Sequence, residues 1–120
     1  MCADDNENIL FAAALNGQTI DITSPIIVDG QWKWMANQGT NITVKASATV
    51  TRLLTIPIAK SSEIQYLTLI GGTTSPGSAI DNMGNLILRG CYVKPALSSS
   101  AIPIRNNGVM NVFGLTNVIH

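Results

Sequence analysis

Apolar residues return down this chain at a nearly constant pitch in three columns, and a fixed pitch constrains the fold more than any other feature. Leu54/Ile56, Ser78/Ile80 and Ile102/Ile104 form one column. Ile64, Leu88 and Val112 form a second, and Leu67/Leu69, Cys91/Val93 and Leu115/Asn117 a third. Each step is about 24 residues, within the range of solenoid repeats. The third column extends backwards to Ile42/Val44 and Ile20/Ile22 with small changes in length, and Ile26/Val28 and Trp32/Trp34 supply the other two sides of the first turn. Three columns predict three strands per turn and about four turns.

Within each column the paired apolar residues stand two apart, as in Ile42-Thr43-Val44, Leu67-Thr68-Leu69 and Trp32-Lys33-Trp34. Alternation of this kind sends one set of side chains inward and the other to solvent. It places Trp32 and Trp34 in the core rather than on a sugar-stacking platform. Between the strands lie Asn16-Gly17, Asp29-Gly30, Gly71-Gly72, Ser75-Pro76-Gly77, Asn82-Met83-Gly84 and Asn106-Asn107-Gly108. Gly and Asn accept the positive φ that sharp corners need, which predicts a corner at each.

The 120 residues are one domain's worth of chain. We assign 1–8 to a disordered or truncated N-terminal lead and 9–120 to a single coil. With 46% hydrophobic and 12% charged residues there is ample apolar material for a core. Seven basic and seven acidic residues cancel, so no field draws in nucleic acid or anionic lipid. No apolar run is long enough to span a bilayer, so membrane insertion is not expected. The N-terminal Met-Cys-Ala-Asp-Asp-Asn lacks the basic start and apolar run of a signal peptide. That leaves a cytosolic protein or a piece of a longer secreted chain, and we favour the second. Cys91 falls in an inward column where a small hydrophobe fits, so it reads as a buried structural thiol. A disulfide to Cys2 would require opposite parts of the stack to meet.

The stretch Gly77-Ser78-Ala79-Ile80-Asp81-Asn82-Met83-Gly84-Asn85-Leu86-Ile87-Leu88-Arg89-Gly90-Cys91-Tyr92-Val93 resembles a repeat turn of right-handed parallel β-helix proteins of bacterial surfaces. These are the polymorphic outer-membrane and choice-of-anchor repeat proteins, adhesin-like passengers that share the pectate-lyase-like superfold. Leu15-Asn16-Gly17-Gln18-Thr19-Ile20-Asp21-Ile22, then Pro25-Ile26-Ile27-Val28-Asp29 and Asn41-Ile42-Thr43-Val44, are similar to the opening turns of those passengers. The resemblance covers roughly residues 9 to 118. It implies an all-β, right-handed parallel β-helix, located extracellularly or on the cell surface, with a polysaccharide or cell-surface glycan as partner. Two departures stand out: the segment before the first turn is short for a cap, and the turn from Ser100 loses the Gly and Ala-Ile pattern, as terminal repeats do. A stack without caps leaves sticky strand edges at both ends, which predicts caps or end-to-end contact with further β-helix turns.

Chemistry would have to come from the outward residues. These read as Asp21, Thr43, Thr68, Tyr92 and Thr116 on one side, Ile27, Thr55, Ala79 and Pro103 on the next, and Lys33, Glu63, Ile87 and Asn111 on the third. No side stacks the carboxylates that a calcium-dependent lyase or a glycosidase requires. Asp29 and Asp81 read as turn residues. His120, the single histidine, ends the chain, so neither a hydrolytic triad nor a Cys/His metal site is expected, and no cofactor is called for. The candidate ligand-facing residues are Thr43, Thr68, Tyr92 and Thr116, with loops at Gln31, Asn37-Gln38 and Ser98-Ser99-Ser100 beside them. The Thr ladder follows from β-propensity rather than ice binding, and the Asn41-Ile42-Thr43 glycosylation pattern is read as fortuitous. The expectation is a non-catalytic stalk or display segment. The alternative is a carbohydrate-active β-helix whose catalytic turns lie outside this chain.

Overall fold

A computed structural model describes residues 6–47, 50, 52–72, 79–94, 103–114 and 117–118. Alternation becomes strand throughout: β1 (Asn6–Phe11), β2 (Thr19–Ile22), β3 (Ile26–Ile27), β4 (Gln31–Ala36), β5 (Thr43–Ala46), β6 (Leu54–Ile56) and β7 (Ser61–Gln65). They are followed by β8 (Thr68–Ile70), β9 (Ile80–Asn82), β10 (Asn85–Arg89), β11 (Tyr92–Lys94), β12 (Ile104–Asn106), β13 (Val109–Phe113) and β14 (Asn117–Val118). A 3-10 turn, Ala13–Leu15, follows β1.

Each strand pairs in parallel with the one a full turn further on, giving three sheets that run up the molecule. Sheet I holds β1-β4-β7-β10-β13, sheet II β2-β5-β8-β11-β14 and sheet III β3-β6-β9-β12. The chain is a parallel β-solenoid of about four turns with roughly 24 residues per turn. Its core is the space the sheets enclose, filled by Val28, Ile42, Val44, Leu54, Ile56, Ile64, Leu67, Leu69, Ile80, Leu86, Leu88 and Val93, all at most 1% exposed. Burial of each such side chain contributes about 1.5–3 kcal/mol. Trp34 is buried against Phe11, with ring centroids 6.1 Å apart. Trp32 packs against the same core, so both tryptophans are inward as expected.

The second column is confirmed in register: Trp34, Ile64, Leu88 and Val112 are successive partners, with Ile9 on β1 added before them. The first column is corrected by two residues. Leu54 pairs with Ile80 and Ile56 with Asn82, so Asn82 is inward and Ala79 is buried. The outward row of sheet III therefore runs Ile27, Thr55, Asp81, Arg105 instead of through Ala79 and Pro103. A fixed pitch could not find this, because Leu54 and Ile80 are 26 residues apart whereas Ile80 and Ile104 are 24.

The third column is corrected at both ends. Ile20 stacks on Val44, bringing Thr19 beside Thr43 and Asp21 beside Lys45. At the far end Tyr92 pairs with Asn117 and Val93 with Val118, one residue later than expected. Ser78, Ile102, Leu115 and Thr116 lie outside the described residues.

Corners depend on close approach as much as on positive φ. At Asn82-Met83-Gly84 a Cβ on Gly84 would lie 2.2 Å from the Lys60 carbonyl oxygen and 2.5 Å from that of Pro57, so only glycine fits. The next turn repeats the corner at Asn106-Asn107-Gly108. Asn82 joins the two: its Nδ2 donates to Asn106 Oδ1 (2.7 Å) and to the Val109 carbonyl (2.9 Å), while its Oδ1 accepts from Gly84 N–H (3.1 Å). Tying an amide into this buried ladder is the physical reason that Asn82, rather than an aliphatic residue, holds an inward position. Positive φ is found at the corner from sheet I to sheet II, where Tyr66 (59°), Gly90 (63°) and Gly114 (67°) follow the register partners Gln65, Arg89 and Phe113.

Candidate functional site

Sheet II presents the face on which three of the four candidate ligand-facing residues meet. Thr43, Thr68 and Tyr92 are successive register partners. The corrected register places Thr19 before them, a row of three hydroxyls and a phenol in sequence, and pairs Tyr92 with Asn117 on β14. Adjacent strands stand about 4.8 Å apart, so this row is a flat array. Beside it runs a second row, Asp21, Lys45, Ile70 and Lys94. Lys94 Nζ lies 5.8 Å from the centroid of the Tyr92 ring, and Tyr92 is 39% exposed. The fourth candidate, Thr116, lies outside the described residues, as does the Ser98-Ser99-Ser100 loop.

Sheet I carries a feature that the sequence did not reveal. A depression of about 340 Å³ is lined by Asn8, Gln31, Lys33, Ser61, Glu63 and Ile87, with Trp32 and Ser62 between the outward rows. Lys33, Glu63, Ile87 and Asn111 were expected outward on one side and are register partners there. The wall contributed by Asn8 was missed because residues 1–8 were assigned to a lead before the coil, whereas β1 begins at Asn6. Glu63 Oε1 is 3.9 Å from Lys33 Nζ, and its Oε2 accepts a hydrogen bond from Gln65 Nε2 at 2.6 Å.

Each of the three described strand acids that face outward has a cation beside it. Asp21 neighbours Lys45 across the ladder, Glu63 faces Lys33, and Asp81 Oδ2 lies 3.1 Å from Arg52 Nε. The last contact is close but off the hydrogen-bond line, so it is a charge pair of modest worth. Asp81 was read as a turn acid; it stands within β9 instead. These acids occupy sheets II, I and III respectively. No group of three or more His, Cys, Asp or Glu is gathered for a metal among the described residues.

Cys91 is 1% exposed, and its thiol donates to the Ile64 carbonyl at 3.1 Å. Burial pushes its pKa up, opposed by backbone hydrogen bonding, so the neutral thiol is the stable form. It is inward in sheet II's column, as its position in the repeat predicts. No helix among the described residues is long and apolar enough to cross a membrane. Comparison of the chain with protein-family models, with curated proteins and with solved structures finds no match.

Proposed function

We propose that this chain is a non-catalytic segment of a secreted or surface-attached bacterial β-helix protein, serving as a rigid stalk that displays a ligand-contact face on sheet II. The observation that carries the reading is the distribution of outward strand acids among the described residues, one to a sheet and each beside a cation. Acid-catalysed cleavage of a glycosidic bond needs two carboxyl groups flanking one bond. A Thr, Thr, Tyr row with a lysine at its edge is suited to a different task. Hydroxyls and an ammonium hydrogen-bond sugar hydroxyls or carboxylates, and an exposed phenol ring stacks on the apolar face of a sugar. A glycan is accordingly the ligand class this face fits best.

Isothermal calorimetry against a panel of acidic and neutral polysaccharides, with calcium present, tests both halves of the proposal. The expected result is saturable heat with at least one glycan, weakened by Tyr92→Ala about tenfold, or about 1.4 kcal/mol. Sustained heat after each injection would mean turnover and overturn the non-catalytic reading. Silence across the panel would remove the ligand face and leave the stalk.

A further inference from the structure

Two asparagines in this chain are followed by glycine, Asn16 and Asn107. Such a pair reacts with itself when its backbone is free to close. The glycine nitrogen gives up its proton to base and attacks the Asn Cγ, a C–N bond forms, and the side-chain nitrogen leaves as ammonia, so that a succinimide ring closes. Water then adds to one ring carbonyl and opens the ring to aspartate or isoaspartate, and no reactant other than water is needed. Glycine favours the attack because no Cβ screens its nitrogen. The two pairs are alike in sequence, and the fold sets them apart.

Asn41 holds both reacting groups of the first pair. Gly17 N–H donates to the Asn41 carbonyl at 2.7 Å, and Asn16 Oδ1 accepts from the Asn41 N–H at 2.6 Å. Gln18 N–H closes the turn on the Leu15 carbonyl at 2.8 Å, with Asn16 at ψ 129° and Gly17 at φ 83°. Ring closure requires the glycine nitrogen to eclipse the Asn Cβ, which an L-residue reaches only at negative ψ. Attack at Asn16 would therefore have to turn the corner over and break the hydrogen bonds that fix it.

We infer that Asn107 is a site of spontaneous deamidation in the folded protein and that Asn16 is protected from it. Asn107 and Gly108 are the residues between β12 and β13. Asn107 is exposed, and its side chain makes no hydrogen bond among the described residues. Its counterpart Met83, one turn earlier and overlain by this corner, is still 38% exposed, so the position faces solvent whether or not a turn lies above it. Gly108 N–H lies 3.4 Å from Asn106 Oδ1, longer than the usual N–H···O distance, so this nucleophile is held more loosely than that of Gly17. The Asn107 N–H donates to the Asn82 carbonyl at 2.8 Å, a bond that lies outside the ring to be formed. The two products differ in fit. Aspartate keeps the main chain as it is. Isoaspartate lengthens it by one carbon beside Gly108, where an added Cβ would lie 2.2 Å from the Gly84 carbonyl oxygen, and so loosens the corner.

This inference is independent of what sheet II binds. The test holds the folded chain at mildly alkaline pH in heavy-oxygen water and maps its peptides by mass spectrometry. Conversion of Asn107 to the labelled acid is expected, faster as pH rises because the attacking nitrogen must lose a proton, with Asn16 unchanged. In urea, where Asn41 no longer holds Gly17, both asparagines are expected to convert. Asn107→Gln, at an exposed position, adds a methylene that disfavours ring closure and is expected to abolish labelling of that peptide in the folded chain. An Asn107 that stays intact in the folded chain would overturn the inference, as would conversion of Asn16 there at an equal or higher rate. Label that persists in the same peptide of the Asn107→Gln variant would also overturn it.

Discussion

Single residues set the local energetics, and the two kinds of corner respond differently to substitution. Gly90 has positive φ, and a Cβ there would lie 2.6 Å from the Tyr66 ring. Gly90→Ala is expected to cost about 1–2 kcal/mol in backbone strain alone, with loss of the Tyr66 packing added, as read from denaturant midpoints. Gly84→Ala drives a methyl group into two backbone carbonyls that cannot swing aside, and its loss of stability should be the larger of the two. Ala59, at φ 69°, carries the reverse prediction. Ala59→Gly should stabilise by up to about 1 kcal/mol, the relief of left-handed strain less the added chain entropy. Cys91 supplies the pH dependence. Its folded pKa is raised, so the folded chain holds the proton more tightly than the unfolded chain does. Its contribution is fully present below the unfolded thiol pKa of about 8.5 and declines as pH rises above that value towards the folded pKa. Denaturant midpoints between neutral and alkaline pH should show this decline, and Cys91→Ala should remove that component.

At the scale of elements, the columns were readable where the step was constant. β7, β10 and β13 repeat every 24 residues, and Ile64, Leu88 and Val112 were aligned correctly from the sequence. On sheet III the misalignment falls where the connection from sheet II changes length, and on sheet II the one-residue slip at Asn117 falls where the connection from β13 to β14 is one residue longer than that from β10 to β11. The step from β3 to β6 is 28 residues, from β6 to β9 it is 26, and from β9 to β12 it is 24. A side-chain period of two makes a two-residue slip invisible to pattern alone, because the same face still points inward. What distinguishes the registers is a long-range hydrogen bond, from Asn82 to Asn106 and Val109. Asn82→Ala would strand the Gly84 N–H and the Val109 carbonyl as well as the Asn106 amide. A loss of roughly 1–3 kcal/mol is expected, since the three groups left without Asn82 are only partly buried, against a smaller loss for Asn106→Ala at the exposed end. Comparison of the two variants' unfolding free energies checks the assignment.

For the whole molecule, the order of residues alone suffices to make the chain an all-β coil of three-stranded turns. Alternation fixes which side chains of a strand share a face, and a recurrent pitch fixes that strands stack, both consequences of local backbone geometry. It also placed Trp32, Trp34 and Cys91 inside and Thr43, Thr68 and Tyr92 on one outer face, since those positions depend on parity within a strand. Which residues become neighbours one turn apart emerges from the packed coil. Thr19 joined the Thr row, Asp81 and Arg105 replaced Ala79 and Pro103 on sheet III, and Asn8 completed the depression on sheet I. Asp21 and Glu63 came to lie beside lysines through that same vertical registry, and Asp81 beside Arg52 of the connection that leads into β6. Parity is a property of one strand and is written in its sequence. Registry belongs to two strands separated by a connection of variable length, so it is settled by what the core, the amide ladder and the corner contacts will jointly accept.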